Sequence, residues 1–82
     1  MPQTKQAKRV GAIERMNACV SRYHGKIDHL RRLIASTDSD EPLVELRAYD
    51  EGLNQGRRAT IASLERKIAT LDRDIRFTRA KI

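Results

Sequence analysis

The side chains that could bind a metal or act as a nucleophile are few in this sequence and poorly spaced. Cys19 and His24 are five residues apart, and so are His24 and His29. Side chains share a helix face at spacings of three or four, so one helix cannot bring these groups together as zinc ligands. No nucleophile beside a base, glycine-rich phosphate loop or carboxylate pair stands out. We therefore expect no metal, no catalytic residue, no cofactor and no small-molecule substrate, and a protein that is not an enzyme.

The elements that would position any site follow a heptad pattern. In the first half, apolar residues alternate steps of three and four at Ile13, Met16, Val20, Tyr23, Ile27, Leu30 and Ile34. The second half repeats this spacing at Ile61, Leu64, Ile68, Leu71, Ile75, Thr78 and Ile82. Each stripe occupies positions a and d of a heptad, starting with a. The two stripes predict two amphipathic helices of the coiled-coil type.

A polar stretch, STDSDEPL at residues 36–43, separates the two stripes and predicts a turn. Ser, Thr and Asp favour turns, and Pro42 suits the first position of a helix. Asp40, Glu41 and Glu45 would then lie at the positive end of the second helix dipole. We expect an all-α fold, an antiparallel two-helix coiled-coil hairpin that forms one domain. The expected parts are a flexible arm at 1–4, helix 1 at about 5–35, a turn at 36–41 and helix 2 at about 42–82.

The apolar pattern of helix 2 changes register between residues 52 and 57. Upstream, Leu43, Leu46, Tyr49 and Leu53 share a face that is offset from the downstream stripe. Gly52 and Gly56 either mark a kink or lie in one continuous helix that another helix approaches closely. We favour the continuous helix.

A short turn predicts that the helices pair outward from it. The opposed residues would be Ile34 with Leu43, Tyr23 with Leu53, Val20 with Gly56, Ile13 with Leu64, and Val10 with Ile68. The C-terminal part of helix 2 would then extend past helix 1. That arrangement leaves Ile75, Phe77 and Ile82 with few contacts inside one chain, and it places Tyr49 in the core.

A single hairpin buries only one line of contact between its helices, so we expect the chain to associate. Ala12, Cys19 and Leu33 lie at position g beside the first stripe, which widens the apolar face as a bundle requires. A homodimer that forms a four-helix bundle is the expected assembly, or an equivalent complex with a different protein. The alternative is a lone hairpin with a frayed end.

The net charge of +6 is unevenly distributed. Acids concentrate at residues 38–51, and bases concentrate near both termini, which a hairpin brings together. The candidate phosphate-binding residues are Lys5, Lys8, Arg9, Arg73, Arg76, Arg79 and Lys81. Acids also lie between the C-terminal arginines. The alternative is therefore a solvated surface in which Arg66, Lys67 and Arg73 pair with Glu65, Asp72 and Asp74.

Two main functions suit such a rod. We expect a small helical adaptor or inhibitor that binds a protein partner through an exposed helix face and its basic C-terminal segment. The partner-binding residues would be Ile75, Arg76, Phe77, Arg79 and Ile82. The alternative is a hairpin dimer that binds nucleic-acid phosphates without strong sequence readout. A structural assembly role is a third class. The lone cysteine and the absence of a long apolar run favour a cytoplasmic location with no membrane contact.

Overall fold

The computed structural model describes residues 4–37 and 43–82, which form two helices packed against each other. Helix α1 spans Lys5–Thr37 and helix α2 spans Val44–Arg79. The predicted all-α helical hairpin is confirmed. Helix α2 passes through Gly52 and Gly56 as one continuous helix, and the chain measures 65 × 19 × 14 Å.

The helix ends are set by local hydrogen bonds. Thr4 caps α1, since its Oγ1 accepts a hydrogen bond from the backbone N–H of Ala7 at 3.1 Å. Ser36 and Thr37, which were expected in the turn, instead form the last residues of α1. Both of their hydroxyls donate to the Leu33 carbonyl, at 3.0 and 2.6 Å, and this bonding within the helix lets polar residues remain in it.

Helix α2 is shorter at both ends than the sequence suggested. It begins at Val44, after Leu43 as its N-cap residue, and it ends at Arg79 rather than at residue 82. The backbone N–H groups of Lys81 and Ile82 donate to carbonyls three residues earlier, so the chain closes with a tighter turn. The roles expected of Pro42, Asp40 and Glu41 fall outside the described residues, whereas Glu45 lies in the first turn of α2 as expected.

The core is one line of apolar side chains between the helices. Ile27, Ile61, Leu64 and Ile68 form its buried cluster. The partly buried residues packed against this cluster are Val20, Tyr23, Leu30 and Ile34. Ile13 and Ile75 are also buried and extend the core toward the termini. The heptad stripes therefore identified the core positions of both helices.

The predicted pairing of the two helices was wrong. The residue of α2 beside Tyr23 is Lys67 rather than Leu53, and the Lys67 Nζ lies 5.9 Å from the centroid of the Tyr23 ring. Arg31 forms an ion pair with Glu65 at 3.4 Å, although the expected pairing places it beside Leu46. From Leu53 to Lys67 the displacement is fourteen residues, or two heptads.

A shift of two heptads preserves every a and d position, so the heptad pattern alone cannot exclude it. The polar residues decide between the two pairings. In the expected pairing, Asn54 and Arg57, at positions a and d of α2, would have faced Tyr23 and Val20. In the observed pairing, the apolar stripe from Ile61 to Ile75 meets the apolar stripe of α1. This pairing buries more apolar surface and avoids burying charge against it.

The observed pairing can be tested with spin labels at two positions of one chain. We replace Cys19 with Ser and attach labels at 31 and 65, or at 31 and 46 as the matched control. The first pair should give a short distance. In the second pair the labels are offset along the helix axis by about 28 Å, the length of nineteen helical residues, so their distance should be about 30 Å. An excess of unlabelled protein removes distances between chains, and a shorter distance for the 31/46 pair would restore the expected pairing.

Candidate interaction surfaces

The first ten residues of α2 extend beyond the end of α1. Arg57 Nη1 donates to Thr37 Oγ1 at 3.0 Å, so the last residue of α1 lies beside Arg57 rather than beside the start of α2. Residues 44–53, the N-terminal overhang, therefore protrude by about 20 Å past Thr37. The protruding end of the hairpin is the acidic end of α2, not its basic C-terminal end.

The overhang carries an exposed apolar face made of Leu46, Tyr49 and Leu53. Tyr49 is 65% exposed, so its expected place in the core is wrong. Relative to the buried stripe, Leu46 and Leu53 fall at position g and Tyr49 at position c. This offset turns the face away from the line between the helices. The offset was visible in the sequence, and it was the signal that these residues are not core.

A polar layer lies where the overhang begins. Asn54 is buried, and its Oδ1 accepts a hydrogen bond from Arg57 Nη1 at 3.0 Å. The same guanidinium nitrogen reaches Thr37, so one arginine joins the end of α1 to α2. A hydrogen-bonded layer of this kind satisfies groups that would be costly to bury alone. It holds α2 in the observed pairing with α1.

The opposite end of the hairpin is basic. Arg9 Nη1 donates to the Lys81 carbonyl at 2.8 Å, which places the N-terminal turns of α1 beside the end of α2. We call this region, residues 4–15 and 72–82, the basic end. It contains eight basic side chains and three acidic ones, Glu14, Asp72 and Asp74. The seven candidate phosphate-binding residues all lie within it.

The expected pairing of Arg66, Lys67 and Arg73 with interleaved acids does not occur among the residues described. Among the residues described, no carboxylate lies within 4 Å of these three basic side chains. The ion pair that the described residues form is Arg31–Glu65. These three basic residues are exposed, and Lys67 lies over the Tyr23 ring instead of pairing with an acid.

The five residues expected to bind a partner separate into two groups. Ile75 is only 5% exposed, because the observed pairing covers the C-terminal part of α2 with α1. The expectation that Ile75 lacks contacts inside one chain is thus wrong. Arg76, Phe77, Arg79 and Ile82 are exposed. Phe77 is 64% exposed, with Lys81 Nζ 4.2 Å from its ring centroid. Their binding to a partner stays a prediction.

The residues with potential chemistry are not gathered into a site. His24 and His29 are both exposed. In the described ranges, no three His, Cys, Asp or Glu side chains come together as metal ligands would. Cys19 is a half-buried free thiol beside Tyr23. Hydrogen bonding to the Cys19 side chain raises the pKa of the Tyr23 phenol, because it favours the neutral form.

Neither described helix carries an apolar run of the length that a bilayer crossing requires. No protein-family model, no curated protein and no solved structure matches the chain. The overhang and the basic end are therefore the features from which a function can be proposed.

Proposed function

We propose that the protein is a non-enzymatic helical hairpin that binds a protein partner, as a small adaptor or inhibitor. The observation that supports this function is the exposed face of the overhang, formed by Leu46, Tyr49 and Leu53. An exposed apolar helix face with anchors at i, i+3 and i+7 fits recognition of a helix by a groove, and tyrosine is enriched among interface hot spots. The proposed docking surface is thus the overhang rather than the C-terminal segment that the sequence favoured.

The shape of the molecule also favours binding over catalysis. Enzymes act in concave sites that exclude water, and the depressions along this hairpin are open grooves between two helices. The chain's single cysteine cannot form an internal disulfide. A cytoplasmic location therefore belongs to the same proposal.

A second candidate function is supported by the basic end. Its arginines and lysines are brought together by the Arg9–Lys81 contact, and Arg73 and Arg76 lack carboxylate partners among the described residues. Such a patch suits the phosphates of nucleic acid, bound through charge without base readout.

One experiment separates the two functions. The tagged chain is used to capture partners from its native host, with and without nuclease. If the overhang binds a protein, Tyr49→Asp should reduce capture at least tenfold, nuclease should have no effect, and Arg76→Ala with Arg79→Ala should leave capture unchanged. The reverse pattern, with capture lost in nuclease or in the arginine variant, would favour the basic end.

A further inference from the structure

The two long sides of the hairpin differ in chemistry. One side, the polar side, carries position e of both helices, where Arg31 and Glu65 form their ion pair. Position e also carries Val10, Asn17, His24, Glu51, Arg58, Asp72 and Arg79, all exposed and, except for Val10, polar or charged. Charged, solvated side chains of this kind favour water over a packed partner.

The other side of the hairpin, which we call the small-residue side, carries short side chains between longer ones, among them the exposed bases Lys26 and Lys67 at position g. Helix α1 contributes Ala12, Cys19 and Leu33, all half-buried, and α2 contributes Gly56, Thr60, Ser63 and Thr70. Two shallow grooves run along it. One lies beside Cys19, Ser63 and Thr70 and is bordered by Arg66 and Lys67, and the other lies beside Gly25 and Thr60 and is bordered by Arg22, Lys26 and His29. A Cβ placed on Gly56 would meet no atom within 4 Å. A helix from outside can therefore approach this side closely.

Two of the hydroxyl groups on this side already donate hydrogen bonds within α2. Thr60 Oγ1 donates to the Gly56 carbonyl at 3.0 Å, and Thr70 Oγ1 donates to the Arg66 carbonyl at 3.1 Å. Both threonines therefore need no further partner for their hydroxyl hydrogens. Covering them costs little, because a hydrogen-bonded hydroxyl avoids most of the penalty of burial.

The same face of α2 carries an exposed aromatic residue near each end. Tyr49 and Phe77 are both at position c, each fourteen residues from Ser63. They are 65% and 64% exposed. If two copies of α2 pack antiparallel about an axis at Ser63, Tyr49 of each copy meets Phe77 of the other. The face is thus complementary to itself, as a two-fold interface requires.

One pair of charges near the ends of α2 obeys the same symmetry. Glu45 and Lys81 are each eighteen residues from Ser63, so the axis that pairs the aromatics also brings these opposite charges together. Glu51 falls at position e on the polar side, so the charge complementarity of this face rests on the Glu45–Lys81 pair. Arg47, the one base in the overhang, falls at position a on the opposite side of the helix. Complementary ends favour this orientation over a parallel one.

We propose that the partner of the overhang is a second copy of this chain. The two copies pack through their small-residue sides, with both α2 helices antiparallel about an axis at Ser63, and form a four-helix bundle. This names the partner for the function proposed above and rests on it. Tyr49 and Phe77 of the two copies are four aromatic side chains, each with a surface of about 200 Å² of which two-thirds is exposed. Covering that exposed surface supplies roughly a third of the about 1,600 Å² that a standard interface buries.

The test is the molar mass in solution, measured by sedimentation equilibrium over a range of concentrations. The wild-type chain should form a dimer, twice 9.4 kDa, and no larger species. Tyr49→Glu and Phe77→Lys should each weaken the dimer at least tenfold, because each substitution damages both symmetric contacts. Asn17→Glu and Asn17→Lys, on the polar side, are the matched controls and should leave the dimer intact.

An equimolar mixture of Tyr49→Glu and Phe77→Lys decides the geometry. In the proposed bundle, this mixture has one wild-type contact and one Glu–Lys contact, so it should recover the dimer to within a few-fold of wild type. If Phe77→Lys alone dimerises like wild type, the overhang pairs with itself and the geometry is wrong. Circular dichroism of each variant confirms that its helices are intact.

Failure of this inference is distinguishable from failure of the proposed function. A wild-type chain that stays at 9.4 kDa overturns the dimer. If Tyr49→Asp nevertheless loses capture of a host protein, the overhang binds a different protein and the proposed function stands. If the chain is monomeric and Tyr49→Asp changes no capture, both proposals fail. A molar mass that keeps rising with concentration would contradict a closed two-fold assembly.

Discussion

Replacing Ile75 with Asp should lower the free energy of unfolding by about 3–5 kcal/mol, a large fraction of the stability of a small domain. The Ile75 side chain is 5% exposed between the C-terminal part of α2 and α1. The substitution removes its apolar contacts and leaves a carboxylate out of water without a partner. Urea unfolding followed by circular dichroism measures the change, with all variants at one protein concentration because association would also affect stability.

Ile82→Asp is the matched control for this prediction. Both isoleucines occupy position a, but Ile82 lies beyond the end of α2 and is 48% exposed. Its substitution should change stability by no more than about 0.5 kcal/mol. Equal effects of the two substitutions would mean that Ile75 is not held against α1. The pairing of the helices observed at the basic end would then be incorrect.

Replacing Ile27 with Ala should cost about 3 kcal/mol. At 3% exposed, Ile27 is the most buried apolar residue described, and it is the α1 member of the buried cluster with Ile61, Leu64 and Ile68. With only one line of contact between two helices, few neighbours can move to fill the resulting cavity. The midpoint of urea unfolding should fall without a change in its slope, since the folded structure is retained.

Ile34→Ala provides the comparison for Ile27→Ala. Ile34 packs against the same cluster but is only partly buried, so its truncation should cost about 1.5 kcal/mol. A loss for Ile34 as large as that for Ile27 would contradict the position of the core. It would indicate instead that stability is concentrated near the end of α1.

The fold could be predicted from the sequence because two unbroken heptad stripes and one polar stretch leave few alternatives to a hairpin. The pairing of the helices could not be read from those stripes, since a displacement of two heptads leaves the pattern unchanged. The polar residues that interrupt the apolar stripe upstream of Ile61 distinguish the two pairings. Asn54 and Arg57 occupy a and d, and their hydrogen bonds with each other and with Thr37 select the observed pairing.

The candidate surface was predicted only in part. Phe77 was expected to have few contacts inside one chain, and the structure leaves it exposed, next to Lys81. Ile75 and Tyr49 were assigned to the wrong environments, one to the surface and one to the core. Both errors follow from the displaced pairing, because the exposed part of α2 depends on which of its ends extends beyond α1.

The protruding overhang has a consequence for the speed of folding. The Thr37–Arg57 contact, at the end of α1, joins residues twenty apart, whereas a tight helical hairpin first closes a loop of about five. Loop-closure entropy grows as the logarithm of length, so this first step costs about 1 kcal/mol more. Once it has formed, the remaining contacts can close in turn toward the Arg9–Lys81 bond, whose residues are 72 apart. We therefore expect the two helices to pair first at the polar layer and then, contact by contact, toward the chain termini.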